Sequence, residues 1–331
     1  MKAILLTRTG DPSVLDYVEV PTPRPRDDEV LVKADTIGVS RPEILVRKGT
    51  YPWMPKLPAI PGIEMTGTVV ERGRNATALA VGDRVFVSAR ELAERAGCYA
   101  EYIAVPQRAP FRLAGDIDLE AAACLSNYQV AYHVIHTAGR VVPGGLAVVD
   151  QAAGGTGSAL AELARLAGMR VIAIAGGAYK IAALKAFGVD HVIDHTAEDP
   201  VARVDAITRG QGADLVLDGS GGKGFAQKLA MVGAFGMVVS YGRLAGPIEA
   251  DLVEALSVTH LHASPAVRFF TMHTMDDKPH LRAESMNHLI GKLRQGAIRP
   301  LIHGRLPLAD ARTAHAMLEA RQVIGKLLLK P

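Results

Sequence analysis

Apolar and polar positions alternate over short stretches in roughly the first 110 residues, and prolines and turn residues separate these stretches. The clearest of them are EVLVKADTIGV (29–39), MTGTVVERG (65–73), DRVFVSA (83–89) and CYAEYIAV (98–105). Frequent turns between strands of this length predict a small, irregular β-barrel rather than a layered α/β unit.

From about residue 120, continuous apolar runs alternate with segments of helical spacing. Strands are predicted at GGLAVVDQA (144–152), MRVIAIAG (169–176), HVID (191–194), ADLVLDGS (213–220), GAFGMVVSYG (233–242) and VTHLHAS (258–264). Helices are predicted at residues 155–167 and at AYKIAALKAFG (178–188). Because the strands are apolar throughout rather than at every second position, the pattern predicts a parallel sheet covered on both faces.

The last stretch, from about residue 280, resembles the first part of the chain in scale. It contains a helix in SMNHLIGKLRQG, a strand-like IRPLIHGRLP, a second helix in ADARTAHAMLEARQ and a strand in GKLLLK. We therefore expect the chain to leave its first domain and to return to it.

Length and composition fit this two-domain organisation. The chain has 331 residues, 49% of them apolar, with 37 basic and 34 acidic residues and a net charge of +3. This balance, without long blocks of like charge, gives no indication of a nucleic-acid or anionic-membrane surface. No apolar run reaches the roughly 18 residues of a membrane span, and the first residues do not resemble a signal peptide, so we expect a cytoplasmic protein.

A glycine-rich turn, QAAGGTG (151–157), follows the first of these buried strands and opens a helix. It fits the dinucleotide fingerprint GxGxxG with Ala152 in the first position and Gly154 and Gly157 in the other two. The second glycine lets the backbone approach a pyrophosphate, the third lets helix and strand pack closely, and the helix N-terminus offers free N–H groups. The turn is therefore interpreted as a phosphate cradle.

The end of the next strand indicates which dinucleotide binds. An NAD-binding fold carries Asp or Glu about 20 residues after the glycines, where it holds the ribose hydroxyls. Here the segment reads AIAGGAYK (173–180), with no carboxylate and with Lys180 following. A lysine can pair with the 2′-phosphate of NADPH, so the sequence favours NADPH over NADH.

Several motifs together resemble one enzyme family. AAGGTG, PGIEMTG (61–67), GDRVF (82–86), YAEYIAV (99–105) and SYG (240–242) are similar to motifs of the zinc-free quinone oxidoreductases, a branch of the medium-chain dehydrogenase/reductase superfamily that includes zeta-crystallin. The resemblance covers essentially the whole chain.

This resemblance implies an α/β protein with a GroES-like β-barrel catalytic domain and a doubly wound Rossmann domain with a six-stranded parallel sheet. The expected ranges are 1–123 for the barrel, 124–264 for the NADPH-binding domain and 265–331 for the return to the barrel. The resemblance also implies NADPH in the cleft between the domains and a homodimer that pairs through the edge of the Rossmann sheet.

The site residues carried over by motif lie in both domains. The resemblance implies backbone contacts from HASPA (262–266) to the nicotinamide carboxamide. The side-chain and backbone contacts to NADPH that it implies are Tyr51, Gly154, Gly155, Thr156, Gly157, Gly176, Lys180, His195, Tyr241, Gly242 and Arg243.

Zinc-dependent members of the superfamily use a Cys after an early Gly-Val, a Gly-His-Glu motif and a further Cys. This chain has Ser40 at the first position and Ile63 before Glu64 at the second. At the third it has Ala123, next to Cys124. Because two of the three soft or imidazole ligands are missing, no catalytic zinc is expected.

The lack of a metal restricts the expected acceptor. Reducing an ordinary aldehyde develops charge that a Lewis acid would stabilise, whereas a quinone accepts hydride readily and an enone needs only a hydrogen-bond donor at the enolate oxygen. Ser40, Arg41 and Tyr51 are the candidate catalytic residues. An enoyl-thioester reductase and a non-catalytic NADPH-binding protein remain alternatives. For Ser40 the alternative is a structural role in which it only satisfies a nearby backbone group.

Overall fold

The computed structural model describes residues 1–249 and 251–331. They form two compact units, one made of Met1–Ser126 with Met286–Pro331 and the other of Asn127–Ser285. The chain thus leaves its first unit and returns to it.

The elements of the two units are as follows. The strands are β1 (Lys2–Leu6), β2 (Leu15–Glu19), β3 (Glu29–Val39), β4 (Glu64–Arg72), β5 (Arg84–Ser88), β6 (Tyr102–Pro106), β7 (Pro110–Leu113), β8 (Leu146–Val149), β9 (Arg170–Ala175), β10 (His191–Asp194), β11 (Ala213–Asp218), β12 (Val232–Ser240), β13 (Ala266–Phe269), β14 (Ile302–Pro307) and β15 (Lys326–Lys330). The α-helices are α1 (Arg41–Lys48), α2 (Leu119–Ala122), α3 (Leu125–His133), α4 (Gly155–Leu166), α5 (Ala178–Ala186), α6 (Pro200–Thr208), α7 (Phe225–Leu229), α8 (Leu252–Glu254), α9 (Pro279–Arg294) and α10 (Ala311–Glu319).

The first unit is built on a mostly antiparallel sheet of order β14-β15-β3-β4-β5-β7, with β6 also paired to β3. The long strand β3 pairs with β4, β6 and β15 and so lies at its centre. Alternate side chains of these strands, such as Val30, Val32 and Val85, point into one buried apolar core. This is the predicted GroES-like β-barrel.

The second unit contains the predicted six-stranded parallel sheet, in the order β10-β9-β8-β11-β12-β13. Strand β8 is buried along its whole length and β9 is buried after Arg170, as their continuous apolar sequence predicts. Val148, Ile172 and Val216 have no solvent exposure. Helices α4 to α7 follow successive strands of this doubly wound sheet.

The position of the sixth strand differs from the sequence prediction. Residues 258–264 lie in short helical turns, Ala255–Thr259 and Leu261–Ala263, and the strand that joins the sheet is β13, which pairs with β12. Ser264 has a left-handed conformation with φ 46°. A strand cannot continue through this residue, so the chain enters the sheet only after it.

The return to the first unit also comes later than the predicted boundary at residue 265. Residues 265–285 belong to the second unit because β13 extends its sheet. In addition, the Gln129 amide donates to the Arg282 carbonyl oxygen at 2.8 Å, and the His133 ring nitrogen lies 3.0 Å from the Ser285 hydroxyl.

Among the helices of residues 1–249 and 251–331, none combines the length and apolar character needed to cross a membrane.

Candidate active site

The glycine-rich turn begins directly after β8. The left-handed residue of the turn is Gln151, with φ 56°, rather than Ala152. This explains why alanine is tolerated at the first fingerprint position. The Ala152 N–H donates to the Ile174 carbonyl oxygen at 3.0 Å, and the Gly154 N–H donates to the Gln151 carbonyl oxygen at 3.1 Å. The first bond fixes the turn against the neighbouring strand β9, and the second closes the turn itself.

Gly154 is the N-cap of α4 and makes no side-chain capping bond, so the first turn of this helix is open to a ligand. A Cβ on Gly157 would lie 2.1 Å from the Gln151 carbonyl oxygen, and only glycine fits there. The predicted residues Gly154, Gly155, Thr156 and Gly157 therefore lie together at a helix N-terminus. Such N-termini attract phosphate through their free N–H groups and the helix dipole.

Asn127 supports this turn from the start of the second unit, and the sequence motif did not indicate it. Its Nδ2 donates to the Thr156 hydroxyl at 3.0 Å, and a Cβ on Gly155 would lie 2.9 Å from its Oδ1. Because the Thr156 oxygen accepts this bond, its own proton is available for an anion.

The turn lies at the point where the strand order of the sheet reverses. Strands β9 and β10 follow on one side of β8, and β11 to β13 lie on the other. Ligands of open parallel sheets bind outside the carboxyl ends of the strands at such a switch point.

Two carboxylates follow the strands on either side of this point. Asp218 is fully buried and accepts from the Ser240 hydroxyl at 2.7 Å, and the Ser220 oxygen lies 3.1 Å from its carboxylate. Asp150 accepts from the Ser220 hydroxyl at 2.5 Å and pairs with the Lys228 ammonium at 3.0 Å. These groups hold the loop after β11 against the turn after β8, and sequence reasoning missed them because no single motif contains them.

Tyr241 and Gly242 follow β12 and contact the same loop. The Tyr241 hydroxyl lies 2.8 Å from the position that a Cβ on Gly219 would take, and a Cβ on Gly242 would lie 2.3 Å from the Gly219 carbonyl oxygen. Both predicted residues thus lie beside the switch point. Arg243, which follows them, is exposed.

The loop after β9 brings three further predicted residues together. A Cβ on Gly176 would lie 2.7 Å from the Nε2 of His195, so the imidazole packs directly against this glycine. Lys180 lies in the first turn of α5, its ammonium 5.5 Å from the Tyr179 ring centroid. The Lys180 ammonium and the His195 imidazole therefore lie at this loop, where residue 176 is a glycine without a side chain.

An acid also lies at this loop, although it comes from β10 and not from β9. The Asp194 carboxylate accepts from the N–H of Gly177 at 3.1 Å and from the Thr196 hydroxyl at 2.6 Å. These hydrogen bonds lower the pKa of Asp194. The Asp194 carboxylate holds the loop backbone in place. This arrangement differs from that of an NAD-binding fold, in which an acid at the end of the second strand, here β9, faces the ribose.

The segment 262–266 occupies the short connection that leads into β13. Its side chains are mostly exposed, apart from Ala263. The backbone from Ser264 onward reaches the sheet edge at Ala266, which pairs with Met237 of β12.

In the first unit, the candidate catalytic residue Ser40 belongs to a buried polar cluster. Its hydroxyl lies 3.0 Å from Oε1 of Glu64, and the Lys326 ammonium contacts both the Ser40 hydroxyl and the same Glu64 oxygen. The other Glu64 oxygen accepts from the Ser126 N–H at 3.3 Å. The Ser40 hydroxyl thus forms hydrogen bonds with the side chains of Glu64 and Lys326. It does not bond to a nearby backbone group, which was the alternative.

A second carboxyl, Glu43 of α1, is buried beside this cluster. Its Oε1 accepts from the Ile63 N–H at 3.3 Å, and its Oε2 has no hydrogen-bond partner in the described part of the chain. Burial raises the pKa of Glu43 to about 8, with Lys326 opposing and Glu64 reinforcing the shift. The Glu43 side chain is therefore neutral at pH 7.

The other two candidate catalytic residues differ in exposure. Arg41 is the first residue of α1 and is exposed. Tyr51 is half-buried against the barrel core, with its ring centroid 5.7 Å from that of Trp53.

At the positions where zinc-dependent members of the superfamily have their zinc ligands, this chain has other chemical groups. Ser40 and Glu64 are bound to the Lys326 ammonium, and Ala123 is fully buried. Burial raises the pKa of the adjacent Cys124 thiol to about 12, which keeps it protonated. Residues 1–249 and 251–331 contain no group of three or more His, Cys, Asp or Glu side chains placed to hold a metal ion.

Two protein-family models match parts of the chain. Residues 26–114 match the alcohol dehydrogenase GroES-like domain, and residues 155–276 match the zinc-binding dehydrogenase family. The second match does not include residues 40, 63, 64 or 123, at which the zinc ligands would be sought.

A solved mycobacterial quinone oxidoreductase is 32% identical, with a TM-score of 0.84 and coverage of 100% of both chains. The chain belongs to the quinone oxidoreductase-like family of medium-chain dehydrogenases/reductases. The Escherichia coli quinone oxidoreductase, solved in complex with NADPH, is 26% identical with a TM-score of 0.89 over 100% of both chains. Among curated relatives of this quinone oxidoreductase-like chain, the rat synaptic vesicle membrane protein VAT-1 homolog is 31% identical and is covered over 84% of its length.

Proposed function

We propose that this protein is an NADPH-dependent oxidoreductase that reduces a quinone or an α,β-unsaturated carbonyl compound without a catalytic zinc ion. One observation carries the proposal: the open N-terminus of α4 lies at the switch point of the parallel sheet. A similar protein, the Escherichia coli quinone oxidoreductase, has been solved with NADPH, and this supports the choice of ligand.

The residues present fit the dinucleotide. Gly157 lets α4 begin in close contact with the Gln151 carbonyl oxygen, and the helix start between Gly154 and Gly157 has the free N–H groups that a pyrophosphate requires. Bound NADPH supplies the hydride for the reaction. On this proposal Gly155, Thr156 and Gly157 hold the pyrophosphate, whereas Tyr241 and Gly242 support the nicotinamide side.

Lys180, His195 and Gly176 are proposed to select NADPH over NADH. The His195 ring packs directly on Gly176 just before α5, and Lys180 supplies a cation in the first turn of that helix. Asp194 is already bonded to the N–H of Gly177 and to Thr196, so its carboxylate serves the loop rather than a ribose hydroxyl.

Zinc does not fit the first unit. A zinc ion needs deprotonated thiolates, neutral imidazoles or carboxylates. Here Ser40 offers a hydroxyl, and the Lys326 ammonium is bound to Glu64 in the same cluster. We infer that the acceptor carbonyl is polarised by hydrogen bonds, with Ser40 as the donor and Arg41 and Tyr51 as further candidates.

The acceptor class is tested by following NADPH absorbance with 1,2-naphthoquinone, 9,10-phenanthrenequinone, an enone and a crotonyl thioester, after dialysis against a chelator. We expect turnover of a quinone or the enone and no loss of rate after chelation. Turnover of the thioester alone would identify an enoyl-thioester reductase. Tight NADPH binding with no turnover would identify a non-catalytic binding protein.

The cofactor preference is tested with Lys180→Ala. Loss of one cation–phosphate contact is expected to raise the Kd for NADPH about tenfold, equivalent to about 1.4 kcal/mol, and to leave the Kd for NADH nearly unchanged. Lys185→Ala, on the same helix, is the matched control and should change neither Kd. Wild-type protein that binds NADH more tightly than NADPH contradicts the assignment. Both constants are measured by fluorescence titration.

A homodimer is proposed as well. Strand β13 forms one edge of the second unit's sheet, and large apolar side chains close to it are exposed, among them Val258, Leu261 and Phe269. Such an edge, with apolar residues next to it, is suited to pair with a second copy of the chain.

A further inference from the structure

Lys326 connects the functional groups of the buried cluster in the first unit. It lies on β15, and its side chain is 3% exposed. Its ammonium contacts the hydroxyl of Ser40 and Oε1 of Glu64, which come from sequence positions far from it. The backbone makes room for this group, because a Cβ on Gly38 would lie 2.7 Å from both Cε of Lys326 and Oε1 of Glu64.

The chemistry of lysine sets the direction of the hydrogen bonds. An ammonium group can only donate, so the Ser40 oxygen must accept from Lys326. The Ser40 proton must then be donated to another acceptor. In the structure that acceptor is Oε1 of Glu64, at 3.0 Å.

Ser40 gives up another interaction to take part in this cluster. It is the N-cap residue of α1, where a serine side chain ordinarily accepts from a backbone N–H of the first turn and contributes about 1 kcal/mol. The Ser40 side chain makes no such bond. The Ser40 hydroxyl is instead committed to the buried charged cluster.

Glu64 is held independently of Ser40. Lys326 pairs with its Oε1, and the Ser126 N–H donates to its Oε2 at 3.3 Å. The Glu64 carboxylate therefore keeps the Lys326 ammonium and the Ser126 N–H as partners when Ser40 donates its proton to a different acceptor.

We propose that Lys326 is the positioning residue for Ser40 in acceptor reduction. It holds the serine as a hydrogen-bond donor and places a positive charge one hydrogen bond behind it, where a carbonyl oxygen gains negative charge. This inference rests on the proposed function.

The test is a double-mutant cycle in the full-length protein, measured with its best acceptor. Lys326→Met alone would leave the Glu64 carboxylate buried without its cation and could prevent folding. Glu64→Gln/Lys326→Met removes both charges and serves as the second background. We expect Ser40→Ala to lower kcat tenfold or more in the wild-type background and less than twofold in the charge-free background.

The charge-free background itself should lower kcat about tenfold, with the Kd for NADPH and the acceptor KM changed less than twofold. Lys330→Met, on the same strand, is the matched control and should leave kcat unchanged. Wild-type kcat in Glu64→Gln/Lys326→Met, or equal effects of Ser40→Ala in both backgrounds, overturns the inference about Lys326. Absence of turnover in the wild type overturns the proposed function together with this inference.

Discussion

Three ionisable side chains are buried together in the first unit: Glu43, Glu64 and Lys326. Two carboxylates and one ammonium would give this buried site a net charge of −1. Because its pKa is raised, Glu43 keeps its proton and is neutral. The cluster then consists of one neutral acid and the Glu64–Lys326 ion pair, with no net charge.

A pH dependence of stability follows for Glu43. The native state holds its proton from the ordinary pKa of 4.5 up to about 8, whereas the unfolded state releases it. Unfolding is therefore favoured as pH rises through this window, and this group lowers the free energy of unfolding by about 1.4 kcal/mol per pH unit. Glu43→Gln, which resembles the protonated acid, is expected to remove this slope.

Urea denaturation at several pH values between 5 and 9 measures the effect, as the difference between wild type and variant. The charged groups that shift the pKa of Glu43 are Lys326, which lowers it, and Glu64, which raises it. Cys98 and Tyr99 are buried near Glu43, and its charge raises their pKa in turn. Glu71→Gln, at an exposed position of β4, is the control and should retain the wild-type slope. A variant as pH-dependent as the wild type shows that Glu43 is ionised in the native state.

The sequence indicated some of these residues and not others for a physical reason. Gly176, Lys180 and His195 follow strands that are neighbours in a parallel sheet, so strand prediction alone places them near one another. Lys326 is separated from Ser40 by 286 positions and lies in an ordinary apolar strand. No local pattern distinguishes a lysine that enters a core from one that faces solvent.

At the scale of elements, the helix α4 depends on close contact with the turn before it. Gly157→Ala would force the new methyl group against the Gln151 carbonyl oxygen, which would have to move. We expect a loss of about 1–3 kcal/mol in the free energy of unfolding, typical of an overpacked site, together with NADPH binding weakened at least tenfold. Denaturant titration and fluorescence titration measure the two effects.

Gly291→Ala is the matched control, since Gly291 also lies in a helix, α9, but a Cβ there meets no atom within 4 Å. Alanine is the better helix former, and this variant should gain about 0.5–1 kcal/mol with NADPH binding unchanged. If both variants behave alike, the contact with Gln151 does not determine the start of α4.

Element prediction was most accurate where one pattern extended over a whole strand. Strands β3 and β10 coincide with the predicted ranges 29–39 and 191–194. Strand β13 was misplaced because residues 258–264 show strand-like alternation, whereas the true edge strand is short and mostly exposed. An edge strand buries little apolar surface, so its sequence carries a weak signal.

At the scale of the whole molecule, the proposed dimer has a direct test. The protein should elute with a mass of about 70 kDa by light scattering, twice the 35.1 kDa of one chain. Val258→Asp/Phe269→Asp introduces charge at two exposed apolar positions next to the β13 edge and should yield monomers. A wild-type monomer, or a variant that remains dimeric, contradicts this surface.

Val81→Asp is the control for this experiment. Val81 is an equally exposed apolar residue, but it belongs to the first unit. This variant should keep the wild-type mass, because its position lies outside the proposed dimer surface.

The return of the chain to its first unit has a consequence for protein synthesis. Glu64 and Lys326 are 262 residues apart, and the complete second unit is translated between them. On the ribosome, the early barrel strands emerge with the Glu64 carboxylate before its ion-pair partner, Lys326, has been synthesised. The barrel can close around Glu64 only after β15 has left the exit tunnel, so the second unit is free to fold first.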